Sequence, residues 1–453
     1  MSRRADVFRF GTFLSSIVRY RRSPGQLVIQ LTDRCNARCP QCGMRVSERF
    51  ERSDLNLYDL KGVLDQASRL GFGAVSFTGG EPMLRMPDVL RLAHYARKVG
   101  ISLIRSGTNG FQFRRLSSET SRQYEIRLQE IAGQIAGSPL RNFWISLDSC
   151  LVSEHERMRG FFGVVDGIRR VLPMFHARKF YPSVNLGINR NIFGERTRGL
   201  HRNGFSCEED YLQAFEETFY EAFCRFYSFV IDLGFTIVNA CYPMSFADLT
   251  GQAQDAVYAA ASQDQIVCFD RREKLRLLRS LFAAIRAYRS RIRIFTPLSS
   301  LYALMRQYEG SSTHVYPCRG GMDYFYINAA DGHVYPCGYR GQDDLGDFRR
   351  MSRLPDLKVC RECYLCDWEC FRDPSQLMGP ILDSARSPWN LWRLYRDDPK
   401  MFHLWKDDLR YYHACQWFDA RKGMESGRLS RFRLARPRPV RQACAACAEA
   451  LES

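Results

Sequence analysis

The sequence predicts an α/β protein: a partial (β/α)6 barrel of the TIM type, followed by a small cysteine-rich α+β domain with a β-hairpin. Three observations support this prediction. Short apolar segments alternate with helical segments as far as residue 310. Each apolar segment ends in polar or glycine residues, as the strands of a parallel barrel do at their carboxyl ends. Beyond residue 310 the alternation stops, and closely spaced cysteines take its place.

The apolar segments predict strands and the periodic segments between them predict helices. The predicted strands are 27–31, 74–78, 101–105, 143–147, 184–188 and 235–240, with 291–295 as a candidate for a further strand. The predicted helices are 57–70, 86–99, 120–135, 162–175, 211–233, 271–290 and 299–308. The segments 324–328 and 333–335 flank a glycine-containing turn and predict the hairpin.

Length and composition indicate a globular protein of several parts. The chain has 453 residues, and 45% of them are apolar, which is enough for a sizeable core. We expect a basic leader helix (1–25), the barrel (26–310), the cysteine-rich domain (311–420) and a basic, flexible tail (421–453). The leader helix (8–20) is expected to pack on the barrel, and binding to a membrane surface or a partner is the alternative.

The cysteine pattern and the net charge indicate the cellular environment of the protein and the classes of partner it could bind. The 17 cysteines are grouped too tightly for a disulfide framework, which predicts a reducing, cytoplasmic environment. No apolar run approaches the roughly twenty residues that span a bilayer, and the first residues lack the pattern of a signal peptide. The net charge of +17 suits an anionic partner such as RNA, a phosphorylated substrate or a membrane. Because arginine is spread through the chain, a solvated basic surface is favoured over RNA binding.

The first strand runs into a loop that carries Cys35, Cys39 and Cys42. The spacing C-x3-C-x2-C lets one loop supply three soft thiolates to a [4Fe-4S] cluster and leaves one iron without a protein ligand. An open coordination position indicates a metal that meets a substrate. A zinc knuckle or three buried thiols are the alternatives, but zinc prefers four ligands in two pairs, and no fourth Cys or His follows nearby.

A second motif, Gly79-Gly80-Glu81-Pro82, follows the second strand. The glycines allow the backbone to approach a ligand closely, and the glutamate offers a carboxylate to a cationic group.

These two motifs, one βα unit apart, resemble those of radical SAM enzymes, where SAM is S-adenosylmethionine, and the resemblance covers roughly residues 26–192. It implies that the loop cysteines hold the cluster and that the glycine-rich turn contacts the methionyl amino group of SAM. It also implies that Gln41, in a position that is usually aromatic, reaches the adenine through its backbone. Ser146 and Arg159 are the candidates for the other SAM contacts, and ordinary strand and helix caps are their alternative roles.

The second half carries another cysteine pattern. The cysteines of VCRECYLCDWEC, which are Cys360, Cys363, Cys366 and Cys370, have the spacing of bacterial ferredoxins. With Cys318 and Cys337 before them and Cys415 after them, they resemble the SPASM or twitch-type domains of radical SAM enzymes, which implies one or two auxiliary [4Fe-4S] clusters. By that resemblance, one cluster would use Cys318, Cys337 and Cys370, and the other Cys360, Cys363, Cys366 and Cys415. A zinc ribbon is the alternative.

The resemblance implies a maturase or oxidoreductase that cleaves SAM reductively to a 5′-deoxyadenosyl radical, which removes a hydrogen atom from a peptide, a protein or a small molecule. It implies an electron donor such as flavodoxin or ferredoxin. Cys241, after the sixth strand, is a candidate hydrogen-atom donor, with packing as its alternative role. Gly338 stands where sulfatase-maturing enzymes have an aspartate, which argues against that activity. The rival functions are a non-catalytic iron-sulfur or zinc carrier or scaffold, and a radical SAM enzyme that modifies RNA.

Overall fold

The computed structural model describes residue 17 and residues 25–42, 52–243, 264–311, 315–351, 363–364 and 366–433. The predicted leader helix, except for residue 17, lies outside these ranges. So do Cys360 and the part of the tail beyond residue 433.

The described strands form one sheet in the order β7-β6-β5-β4-β3-β2-β1-β8-β9. Their bounds are β1 Gln26–Thr32, β2 Ala74–Gly79, β3 Leu103–Thr108, β4 Asn142–Ser146, β5 Ser183–Gly187, β6 Ile237–Cys241, β7 Arg293–Ile294, β8 Tyr324–Ile327 and β9 Val334–Tyr335. Neighbours from β1 to β7 are parallel. The predicted parallel α/β sheet of an open, partial barrel is therefore confirmed, with 291–295 supplying a short seventh strand.

Helices connect the strands, and each of the seven predicted helices up to residue 308 has a counterpart. Their bounds are α1 Leu57–Arg69, α2 Met86–Lys98, α3 Ser121–Gly137, α4 Val152–Arg159, α5 Val164–Ala177, α6 Glu195–Arg198, α7 Glu208–Leu233, α8 Arg271–Tyr288, α9 Leu298–Tyr308, α10 Glu369–Ser384, α11 Trp389–Asp397, α12 Pro399–Ala414 and α13 Ser426–Ser430. None of the helices in the described ranges is long and apolar enough to cross a bilayer. The short helices α4 and α6 were not predicted, because neither has a long apolar period. The helices after residue 308 were not predicted either, because the interpretation of that region was based on its cysteine spacing.

The predicted hairpin, β8 and β9, continues the barrel sheet instead of forming a sheet of its own. Strand β8 runs parallel to β1, with Gln26 opposite Tyr324. Phe72, which lies between α1 and β2, packs edge-on against Phe325 and Phe348 at ring-centroid distances of 5.8 Å each. The barrel and the hairpin therefore share one hydrophobic core.

The other edge of the sheet is covered by α12. The Tyr411 hydroxyl accepts a hydrogen bond from Ile294 N at 2.9 Å and donates one to Ile292 O at 3.0 Å. Asp408 accepts bonds from the backbone N–H groups of Leu298 and Ser299 and so satisfies the first turn of α9. A side chain from the C-terminal helices thus replaces the missing neighbour of the edge strand β7.

Candidate active site

A cavity of about 390 Å³ opens at the carboxyl ends of the strands. Parallel barrels gather side chains from many elements at this end. The residues that the sequence analysis assigned to the first cluster, to SAM and to hydrogen donation all line this cavity: Cys35, Cys39, Gln41, Cys42, Gly79, Gly80, Glu81, Pro82, Ser146, Arg159 and Cys241. The structure therefore brings together residues that are up to two hundred positions apart in the chain.

The three cysteines of the first loop face the cavity together. The backbone N–H of Cys42 donates to Cys39 O at 3.1 Å, and that of Ala37 donates to the Cys35 sulfur at 3.4 Å. Burial raises the pKa of Cys39 to about 12 and also raises that of Cys35. A bound cationic metal would reverse this effect, because it stabilises the thiolate form.

The spacing of the thiols favours a cluster over zinc. Structural zinc needs four ligands on one ion, whereas the thiolates around an iron-sulfur cluster bind separate irons.

Only glycine fits at positions 79 and 80, because the cysteine loop packs against both residues. A Cβ atom on Gly79 would lie 2.4 Å from Thr32 O, and one on Gly80 would lie 2.3 Å from Arg34 O. The N–H of Gly80 donates to Thr32 O, and that of Glu81 donates to Arg34 O, both at 2.8 Å. The sequence analysis attributed the glycines to a nearby ligand. In the structure the backbone of the cysteine loop lies against both glycines, which also line the cavity, so their contact with a ligand stays a prediction.

Glu81 is a buried carboxylate at the cavity wall. It accepts hydrogen bonds from Met83 N at 3.0 Å and from Asn109 N at 2.7 Å. Burial outweighs these bonds and raises the pKa of Glu81 to about 7. The side-chain amide of Asn109 donates a hydrogen bond to the side-chain oxygen of Asn36, in the cysteine loop, at 2.9 Å. The carboxylate is therefore held in place beside the loop and suits a cationic ligand group, which would stabilise its charged form.

Arg159 is fixed by a two-bond ion pair with Asp148. The donor–acceptor distances are 2.6 and 3.0 Å. The Asp148 N–H donates to Nδ1 of His155 at 3.2 Å, and burial lowers the pKa of that histidine to about 4, so the ring is neutral at pH 7. Burial alone would lower the pKa of the arginine, but Asp148, with smaller contributions from the nearby Cys39 and Cys42, raises it. Arg159 therefore adds a fixed positive charge beside the first cysteine group.

The buried side-chain amide of Gln41 is an observation by which the fit of the site to SAM can be judged. The side chain is 8% exposed and lines the cavity, and neither its oxygen nor its nitrogen has a hydrogen-bond partner among the described residues. An unpaired buried polar group costs about 1–3 kcal/mol. A ligand with adjacent donor and acceptor atoms, as on an adenine edge, would remove this cost. By this test the residues present fit SAM, and the free amide lies at a residue whose expected contact with SAM was through its backbone.

A second thiol group lies between the hairpin and the segment before α10. Cys318 N donates to Cys363 O at 2.8 Å. Cys318, Cys337, Cys363 and Cys366 are electrostatic neighbours, and burial raises the pKa of Cys318 to about 11 and that of Cys337 to about 12. The chemistry of these four thiols fits one cluster with four protein ligands.

This arrangement differs from the predicted division into two cysteine groups. Cys415 lies in a separate hydrophobic cluster, where its electrostatic neighbours are Tyr411, Arg293 and Arg289. Cys370 neighbours Cys318 but also lines the main cavity, close to Arg105. Spacing along the chain gave no sign of this separation, because the packing of α12 decides where Cys415 lies.

Cys241 ends β6 and lines the cavity near Glu369 and Cys370. Its thiol contacts the Glu369 carboxyl, and burial raises the pKa of that carboxyl to about 7. Its role as a hydrogen-atom donor stays a prediction.

The sequence analysis missed other lining residues, among them Arg105, Trp144, Phe295, Glu369 and Tyr412. Of these, only Arg105 carried a usable signal, because it is a charged residue inside a strand that is otherwise predicted to be buried.

Comparison with known proteins agrees with this geometry. Residues 29–181 match the family model described as the Radical SAM superfamily. This part of the chain is a radical SAM domain. It contains the cysteine loop, the Gly79–Pro82 turn and the Asp148–Arg159 pair.

Relatives of the radical SAM domain differ in what they do. A probable GTP 3′,8-cyclase of Thermococcus kodakarensis is 27% identical over 212 residues, which are 46% of this chain and 64% of that protein. A PqqA peptide cyclase of Gluconobacter oxydans is 38% identical over 86 residues, which are 18% of this chain and 24% of that protein. The chain therefore spans less than two thirds of either relative. The structure of Streptococcus suis SuiB bound to S-adenosylmethionine aligns with a TM-score of 0.48 and 16% identity, over 82% of this chain and 71% of that one.

Proposed function

We propose that this protein is a radical SAM maturase that reductively cleaves SAM and uses the resulting radical to modify a peptide, a protein or a small molecule. The observation that carries the proposal is the loop with Cys35, Cys39 and Cys42, which faces a cavity and is hydrogen-bonded to the Gly80–Glu81 backbone inside the matched radical SAM domain. A [4Fe-4S] cluster with SAM at its open iron supplies the radical chemistry.

Different residues of the site bind different groups of SAM. Glu81 is placed to accept a hydrogen bond from the ammonium group, Arg159 offers positive charge to a carboxylate, and Gln41 offers its amide to the adenine. With SAM and a substrate bound, apolar lining residues such as Trp144 and Phe295 would keep water away from a reactive species and so limit side reactions. These roles agree with the donor and acceptor character of each side chain.

The second thiol group supports an auxiliary cluster held by Cys318, Cys337, Cys363 and Cys366. With the first cluster, this arrangement amounts to about eight irons per chain. Cys370 and Cys241 then remain as thiols at the cavity wall. An electron carrier such as flavodoxin or ferredoxin would supply the electron for SAM cleavage.

The proposal is tested by anaerobic reconstitution with iron and sulfide, reduction, and measurement of 5′-deoxyadenosine and methionine formed from SAM. We expect both products from the wild type and a loss of at least about 100-fold in Cys39→Ala. Equal product from the two proteins would contradict the proposal. A non-catalytic carrier, the rival function, would make no 5′-deoxyadenosine, and the EPR spectrum of its cluster would not change when SAM is added.

A further inference from the structure

Two arginines line the cavity, and they differ in their partners. Arg159 is paired with Asp148 through two hydrogen bonds. Arg105, on β3, donates one long hydrogen bond of 3.4 Å to Gln26 Oε1 and lies over the Phe295 ring at 5.5 Å. Within the described residues, no carboxylate lies within ion-pair distance of Arg105, and its electrostatic neighbours are Cys370, Cys241 and Tyr412.

The carboxylates of the cavity have other partners. Glu81 accepts two backbone hydrogen bonds, and Glu369 accepts one from Tyr242 N at 3.2 Å. Asp373 accepts from the hydroxyls of Ser300 and Tyr242. Burial also raises the pKa of Glu369 to about 7 and that of Asp373 well above its usual range, which favours their neutral forms. Among the described residues, no ion pair therefore compensates the positive charge of Arg105 in this partly apolar space, and burial lowers the pKa of Arg105. A cation in such surroundings is stabilised when an anion is bound to it.

We propose that Arg105 binds one carboxylate group of the substrate, in a subsite that it forms with Gln26 and Phe295. This inference rests on the proposed function, because it names the substrate class of the same cavity. The guanidinium group can form two parallel hydrogen bonds with a planar carboxylate.

The charge of the cavity selects a carboxylate over a nucleoside triphosphate. Among the described lining residues the cations are Arg105 and Arg159, and Arg159 is held by Asp148 and is assigned above to the carboxylate group of SAM. A triphosphate brings several negative charges and would leave most of them unpaired. A peptide or amino-acid carboxylate brings one, and the apolar side chains of Trp144, Phe295 and Leu377 suit the carbon skeleton beside it.

The test uses two probes that differ only in charge, N-acetyl-L-tyrosine and N-acetyl-L-tyrosinamide. Their dissociation constants are measured by ligand-observed NMR with the reconstituted full chain. We expect the wild type to bind the acid about 10-fold or more tightly than the amide, because a charge-assisted bond is lost with the amide. In Arg105→Gln the ratio should fall to about one, and Arg105→Lys should restore part of it.

The control is Arg91→Gln, which removes an exposed arginine outside the cavity and should keep the wild-type ratio. An unchanged ratio in Arg105→Gln, no binding of either probe to the wild type, or tighter binding of GTP than of the acid would each overturn the inference. SAM cleavage by the same wild-type preparation is measured separately. If that preparation makes no 5′-deoxyadenosine, the proposed function fails, whereas the binding ratio still decides the role of Arg105.

Discussion

Substitution of Gly80 by alanine tests whether the glycine-rich turn shapes the cysteine loop. The new Cβ would lie 2.3 Å from Arg34 O, and Cβ atoms in proteins essentially never approach another atom within 3.0 Å. The loop or the turn must therefore move by at least about 0.7 Å. The two hydrogen bonds between the turn and the loop, from the N–H groups of Gly80 and Glu81, each contribute about 1 kcal/mol and would be strained by this shift.

A displacement of this size is large for a catalytic site. Misplacement by about 1 Å lowers rates by up to about 100-fold, so we expect Gly80→Ala to cleave SAM at least about 10-fold more slowly than the wild type. The assay is 5′-deoxyadenosine formation per iron bound, after anaerobic reconstitution.

Gly137→Ala is the matched control. Gly137 lies in α3, and a Cβ at this position has no atom within 4 Å. Alanine should therefore leave SAM cleavage unchanged and stabilise the helix slightly, by less than about 1 kcal/mol. The reasoning is refuted if Gly80→Ala binds iron and cleaves SAM as the wild type does.

Three further outcomes are expected. In the cluster-free protein, the pKa of Glu81 is about 7 when folded and 4.5 when unfolded, so ionisation of this carboxyl disfavours folding. The free energy of unfolding should therefore fall as the pH rises from 4.5 to 7. Urea unfolding should show that Glu81→Gln loses this part of the pH dependence. Iron analysis should show that Cys366→Ala loses about half of the bound iron, whereas Cys415→Ala keeps it all; equal losses would contradict the four-thiol arrangement. Tyr411→Phe leaves Ile294 N–H without its partner and should lower the free energy of unfolding by about 1–3 kcal/mol, measured by denaturant titration at constant m-value.

The sequence by itself determined the order of the strands, the longer helices between them up to residue 308, and the first cysteine group. It did not determine the short helices α4 and α6, which have no long apolar period. Apolar segments such as 74–78 are short, end in glycine and alternate with periodic helices, and local chemistry is enough to identify such a pattern. The three loop cysteines lie within eight positions of one another, so no tertiary contact is needed to bring them together.

Only the tertiary structure decided which distant residues share a site. Cys363 lies beside Cys318 because backbone pairing aligns their segments, Cys366 is a further neighbour, and Cys415 lies in another hydrophobic cluster because α12 packs on the edge strand β7. Only the assembled cavity shows that Arg105 has no carboxylate partner among the residues the structure describes. The spacing of residues along the chain determines which ligands a single loop can supply. The packing of helices and sheet edges determines which charges and thiols from distant segments come into contact.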